Sequence, residues 1–318
     1  MNVVKTKSKD FISVENSILD CSLVGVNFRL DMPKDLHPLF LKDCLNYLSN
    51  LKKADGKPSV TFHISRGPPN LVVNDDKILL VNNAQEEQLV RDTVLLMSKI
   101  LERELNRRDI FSLHASGVSA NGKAIAIIGP GGSGKTTSAV YTCMLDRTIC
   151  FVSGNRIFVR GTDVIDGASG VRLRAGSLGQ ELGLSSPALE EIGFYDAKVS
   201  LTPAEIGIVT TPSYPLKLTK IIVVRKFERE LTVEKLNMAN EEQMNDAFLN
   251  LYNCASEFSE NFPSFILGPK IPYPNVFTTK LKEARISFIK GLLRNIEVIK
   301  VEGKLKEIAS FVKNEIRG

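Results

Sequence analysis

Gly129-Pro130-Gly131-Gly132-Ser133-Gly134-Lys135-Thr136-Thr137 is the stretch that decides the fold. It fits G-x-x-x-x-G-K-[ST], the phosphate-binding P-loop, and both flanks suit that motif. Lys123-Ala-Ile-Ala-Ile-Ile128 before it is a short apolar run that predicts a buried strand, and Thr137 to Leu145 after it predicts a helix. Strand, glycine loop and helix are the parts the chemistry requires. Glycines let successive backbone N–H groups turn inward on an anion, and the helix N-terminus adds roughly half a positive charge there. The candidate nucleotide-binding residues are therefore Gly129, Gly131, Gly132, Ser133, Gly134, Lys135, Thr136 and Thr137. Lys135 would reach the β- and γ-phosphates, and the Thr136 hydroxyl would ligate Mg²⁺. The expected cofactors are ATP and Mg²⁺.

The rest of the chain sets bounds. Its 318 residues allow one large domain or two ordinary ones, and 43% apolar with 24% charged residues is usual for a globular protein. No apolar run reaches the ~18 residues of a membrane helix and no signal-peptide pattern opens the chain, so no membrane partner is expected. Cys21, Cys44, Cys143, Cys150 and Cys254 are scattered, without C-x-x-C or neighbouring histidines. That spacing argues against zinc and for a reducing, cytoplasmic setting. Of the net charge of +5, all falls between Lys280 and Arg317, which hold ten Lys/Arg and five Glu. The acids interleave at helical spacing without an aromatic platform, so this excess reads as solvated helical faces and not as a nucleic-acid surface.

Two domains are predicted. Residues 1–108 read as an α+β domain, with a strand over 23–30, a helix from Asp35 to Leu48, strands over 59–64 and 77–81, and a long amphipathic helix over 86–107. His37 and His63 lie in these elements and read as packing or surface. Residues 109–318 read as a P-loop domain with a C-terminal helical extension. Here 111–118 and 123–128 flank Asn121-Gly122, the strongest short hairpin signal, so the P-loop strand gains an antiparallel neighbour. Strands follow over 148–153, 156–160, 171–174, 220–227 and 297–301, with helices over 241–256, 278–294 and 305–316.

Absences narrow the class. Most P-loop ATPases carry an apolar strand that ends in an acid beside the metal. Here Thr148–Val152 ends in Ser-Gly-Asn-Arg156, and Ile221–Val224 ends in Arg225-Lys226. L-S-G-G-Q and N-K-x-D patterns are missing too, against transporter and switch classes.

The order Leu113-His114-Ala115-Ser-Gly-Val118, Asn-Gly turn, apolar strand and Gly129–Thr137 resembles the HPr kinase/phosphorylase family and its HPr-kinase-like relatives over about residues 111–160. The resemblance implies a phosphoenolpyruvate-carboxykinase-like α/β fold: a mixed-sheet P-loop domain, here with an N-terminal α+β domain and C-terminal helices. It also implies ATP-dependent phosphoryl transfer to a hydroxyl and places the His114 strand beside the phosphate loop.

One departure matters. In those kinases the strand after the P-loop helix ends in paired aspartates, and here Gly154 and Asn155 stand in their place. Asn155 can ligate a metal through its carbonyl but cannot accept a proton at neutral pH. Lys135, His114, Asn155 and Arg156 are the candidate catalytic residues, with Arg156 as a source of transition-state charge. Asp163 and Asp166 are candidate replacement carboxylates or turn residues. Arg172 and Arg174, alternating on one strand, share a face that suits a phosphate or carboxylate. The leading expectation is a kinase that phosphorylates a hydroxyl on a small metabolite or protein serine. The alternatives are a catalytically altered nucleotide-binding regulator or scaffold and a nucleic-acid-associated ATPase. The acceptor and any self-association stay open.

Overall fold

The computed structural model describes residues 16–48, 51–83, 85–174, 182–183, 198–211, 213–261, 265–266, 271–272 and 275–318. Its first sheet contains β1 (Asn16–Leu23), β2 (Val26–Pro33), β3 (Lys52–Lys53), β4 (Val60–Arg66), β5 (Asn70–Val73) and β6 (Lys77–Asn82), in the order β3-β1-β2-β4-β6-β5. Along β2, Val26, Phe28, Leu30 and Met32 alternate inward and are buried, the period-2 signature of a strand with one core face. The helices α1 (His37–Tyr47) and α2 (Glu86–Asn106) pack on each other and complete this core. The single strand expected over 23–30 is two strands, paired Leu23↔Val26 across a two-residue turn. Val24 and Gly25 adopt φ of 51° and 75° there; a β-branched residue rarely takes that conformation, so Val24 masked the turn. His37 bonds Ser17 at 3.1 Å and His63 pairs with Asp31 at 3.0 Å, both away from the glycine loop's half of the molecule.

The helix α2 is buried on more sides than an amphipathic pattern implies. Ser98, Lys99, Glu102 and Arg103 are buried along with its leucines. The cause is a second partner, since the far side of α2 meets the elements that follow.

The second sheet contains β7 (Phe111–Leu113), β8 (Ser116–Ala120), β9 (Lys123–Ile128), β10 (Cys150–Ser153), β11 (Ile157–Arg160), β12 (Asp163–Gly167), β15 (Leu216–Lys226), β16 (Thr232–Lys235) and β19 (Glu297–Gly303). Its main path runs β10-β8-β9-β15-β12-β11-β7. Two short ladders stand apart from it, β13 (Val171–Arg174) with β14 (Lys198–Leu201) and β17 (Phe265–Ile266) with β18 (Ile271–Pro272). The expected hairpin forms between β8 and β9, with Asn121 and Gly122 at φ of 52° and 75°. On its other side β9 has a parallel neighbour, β15, which in turn pairs parallel with β19. The class is α/β with mixed sheets.

The expected strand over 111–118 breaks at His114–Ala115, and its first part pairs with β11 instead. Both β7–β8 and β10–β11 join strands at opposite ends of the main path through only two or three residues. Such connections span ~10 Å at most, so the sheet curls until its ends meet. The residues 161–167, read as turns, form only one turn, at Gly161–Thr162, followed by β12.

Both faces of this sheet are covered. Ala124, Ala126, Ile128, Ile221 and Val223 face a core shared with α4 (Glu241–Ser256) and α5 (Thr279–Asn295). Ile125, Ile127, Ile222 and Val224 face another, shared with α3 (Lys135–Leu145) and α6 (Leu305–Arg317). Burial on both faces is why β9 and β15 read as continuous apolar runs. Among the described residues no helix is long and apolar enough to cross a membrane.

Candidate functional site

The glycine loop joins the end of β9 to the start of α3. Gly129, Gly132 and Gly134 hold φ of 146°, 79° and 91°, and a Cβ on Gly129 would lie 2.6 Å from the Val224 carbonyl. Only glycine fits that approach. Lys135 folds back over the loop, its Nζ donating to the carbonyls of Gly129 (2.8 Å) and Pro130 (3.1 Å). The Ser133 hydroxyl is buried in the loop and has no hydrogen-bond partner among the described residues. An anionic oxygen would satisfy such a donor. Thr137 is buried in the first turn of α3, while a Cβ on Gly131 would meet nothing within 4 Å among the described residues.

Further cations flank the loop. The Arg174 guanidinium lies 4.0 Å from the position a Cβ on Gly132 would take, and Arg172 shares its exposed face of β13, opposite buried Val171 and Leu173. Lys226 ends β15 against the loop: its N–H donates to the Ser133 carbonyl at 3.1 Å, and its Cβ would contact a Cβ on Gly134 at 3.4 Å. In the sequence the basic end of this strand stands out only as a missing acid. The parallel pairing of β15 with β9 makes it a wall of the loop.

Thr136 faces the turn after β10. Its hydroxyl donates to the Gly154 carbonyl at 2.8 Å and lies 3.1 Å from the Ser116 hydroxyl, which bonds that carbonyl at 3.0 Å. Asn155, half-buried, follows directly, its N–H donating to Ser153 Oγ at 3.2 Å. Asn155 thus stands one residue from the group that holds Thr136. Among the described residues no three His, Cys, Asp or Glu side chains gather as a metal site. The donors here are neutral oxygens. They fit a Mg²⁺ that arrives on phosphate oxygens and meets Thr136, since Mg²⁺ commonly completes its shell with substrate and water.

Arg156 corrects the expectation that it would stabilise charge at the phosphates. Its side chain is 0% exposed and points into the junction with α2. It forms a short ion pair with Glu102, donates to Ser98 Oγ at 2.8 Å and lies over the rings of Phe158 and Phe258. Ser112 also donates to Glu102. Burial pushes the Arg156 pKa down and Glu102 pulls it back up. The physical reason for the placement is the curled sheet, which turns this position toward α2. The signal was legible only as Glu102, an acid on the polar side of a long helix.

The candidate replacement carboxylates lie elsewhere. Asp163 pairs with Lys217 at 3.2 Å, opposite the start of β15. Lys226 ends that strand nine residues on, or ~30 Å away at strand rise. Asp166 accepts from the Gly167 N–H at 2.7 Å, and burial raises its pKa while Lys52 of β3 opposes the rise. An open cavity of about 520 Å³ sits at the Lys217 end of β15, far from the loop, and among the described residues Lys217 is its one charged lining residue.

His114 occupies the break between β7 and β8. Its backbone N–H donates to the Cys254 carbonyl at 2.9 Å, and its Nδ1 is 3.7 Å from a Glu257 oxygen. Burial pushes the Cys254 thiol up to about 11, against the Gly129 N–H and Lys135, which both pull it down. Cys254 and Glu257 were not found from sequence; they lie over a hundred residues from the loop, and only the packing of α4 brings them in. No protein-family model and no curated protein matches this chain.

Proposed function

We propose that the chain binds a nucleoside triphosphate with Mg²⁺ and transfers its terminal phosphoryl group to a hydroxyl, as an HPr-kinase-like phosphotransferase. The observation that carries this reading is the glycine loop at the start of α3, crossed by Lys135 and flanked by Arg174 and Lys226. Three cations and an inward-turned backbone match the charge of a triphosphate. The loop's N–H groups and Lys135 would hold the β- and γ-phosphates, and Thr136, oriented by Ser116 and Gly154, would meet the metal. When bound, Mg²⁺ would neutralise charge that develops on the phosphates. The resemblance to HPr kinases over residues 111–160 supports the reaction class, and five free cysteines support a reducing, cytoplasmic setting.

A nucleotide-binding regulator without catalysis is the second reading. Asn155 in place of an acid, together with Arg156 withdrawn to Glu102, favours it. Turnover of MgATP with and without small hydroxyl acceptors and serine peptides separates the two. Transfer that is lost in Lys135→Ala supports the kinase. Tight MgATP binding without transfer to any acceptor supports the regulator.

A further inference from the structure

The structure points to a substitute for the missing acid at the end of α4. That helix runs on into a π-helical turn, Glu257–Asn261, which carries Glu257 and Phe258 to His114. The His114 ring lies 5.6 Å from the Phe258 ring, and its Nδ1 is 3.7 Å from Glu257 Oε1. One turn earlier, Cys254 lies in the same core as Ile128, the last residue of β9 before the glycine loop, and Lys135 and Glu257 pull its thiol pKa in opposite directions. The His114 backbone N–H donates to the Cys254 carbonyl. These contacts tie the pair to the Gly129–Pro130 edge of the loop. That is the edge where Lys135 Nζ sits, the group expected at the β- and γ-phosphates. His114 is 26% and Glu257 37% exposed, so the pair is open to a substrate.

We propose that His114 accepts the proton of the attacking hydroxyl and that Glu257 positions and neutralises the imidazolium that results. This rests on the phosphotransferase reading above. The acceptor oxygen forms a bond to the γ-phosphorus as the bond from that phosphorus to the β,γ-bridging oxygen breaks. The nucleoside diphosphate leaves with the electron pair. The acceptor's proton passes to Nε2 of neutral His114, Glu257 balances the charge at Nδ1, and solvent later takes the proton. His114 is the catalytic residue and Glu257 a positioning residue. Among the described residues, the charged and titratable groups on the elements packed there include Glu257 and Cys254 at the end of α4, Lys99 of α2, which donates to the Ser259 carbonyl on the same turn, Lys135, which acts on Cys254, and Arg156. Arg156 stacks on the same Phe258 and is paired with Glu102.

The chain has three histidines, which makes ring NMR a direct test, with MgATP as the probe. MgATP should move the His114 resonance and leave those of His37 and His63 in place. Glu257→Gln should keep MgATP affinity within about twofold and slow MgATP hydrolysis about tenfold, with the acid limb of its pH profile at lower pH. The limb moves down because the imidazolium loses its partner, and Glu257→Asp should restore part of the rate. His114→Gln should slow hydrolysis about a hundredfold with affinity unchanged. If the wild-type chain fails to bind MgATP, the phosphotransferase reading falls and takes the pair with it. If binding depends on Lys135 but the His114 resonance stays fixed, the loop reading stands and the pair is overturned. Hydrolysis by Glu257→Gln at the wild-type rate on an unmoved limb, or binding without any hydrolysis, overturns the proton-accepting role too.

Discussion

The turn Ser153–Arg156 faces two unlike neighbourhoods. On one side the Gly154 carbonyl meets the Thr136 and Ser116 hydroxyls at the start of α3, with half-buried Asn155 next to it in the chain. On the other, Arg156 enters a buried seam against α2, where it meets Ser98, two phenylalanine rings and Glu102, which Ser112 also bonds. Consecutive residues thus split between binding and architecture. A charge next to a phosphate loop is not thereby a charge for phosphate; the direction in which the curled sheet turns each side chain decides.

The seam should give the largest effect. Arg156→Ala leaves Glu102 buried without its partner and should lower stability by about 3–5 kcal/mol in urea unfolding. Arg156→Met with Glu102→Leu should recover most of that loss, because both buried charges are gone. MgATP affinity in the double variant should stay near wild type. A selective loss of turnover with stability intact would return Arg156 to the reaction and dissolve the contrast.

Gly154→Ala strikes the hinge between the two sides. Its Cβ would lie 2.5 Å from the Gly170 carbonyl and 3.4 Å from Thr136 Cγ2. The turn must shift, at about 1–3 kcal/mol of stability. MgATP binding should weaken with it if the turn orients Thr136; unchanged affinity would separate the turn from the loop.

A smaller effect is expected at Asp166, on the seam side of β12, where Ile165 packs into the first core. Burial raises its pKa in the folded chain, so the fold favours the protonated form. Its contribution is therefore present at low pH and is lost as pH rises through the raised value. Asp166→Asn should be more stable than wild type at pH 7, with the difference shrinking toward pH 4. A pH-independent difference would count against burial as the cause.

The smallest effect concerns thiols. Cys150 is half-buried while Cys21, Cys44, Cys143 and Cys254 are buried. A disulfide reagent should modify Cys150 first in the native chain, with Cys254 protected beneath the loop. Fast modification at Cys254 would mean that the loop and α4 part readily.

Much of the loop's setting was legible in the sequence, because its determinants are local. The glycines, the Asn121-Gly122 turn and the apolar runs of β9 and β15 each specify conformation within a few residues. Helix 241–256 was legible too, and in the structure the Asn240 side chain caps it by accepting from the Gln243 N–H. What escaped depends on distant pairing. Arg156 looked available because its partner Glu102 lies 54 residues upstream, and Glu257, which no local pattern marks, reaches His114 only through the packing of α4. The polar alternation of β12 resembled a turn because two aspartates and a glycine weaken its strand signal.

The central claim is that the loop at Gly129–Thr137 holds a triphosphate, and calorimetric titration of the full chain with MgATP tests it most directly. The wild type should bind one MgATP per chain. Lys135→Ala, with its fold verified by circular dichroism and thermal unfolding, should bind at least tenfold more weakly, about 1.4 kcal/mol or more. Wild-type affinity in a folded Lys135→Ala chain would contradict the account.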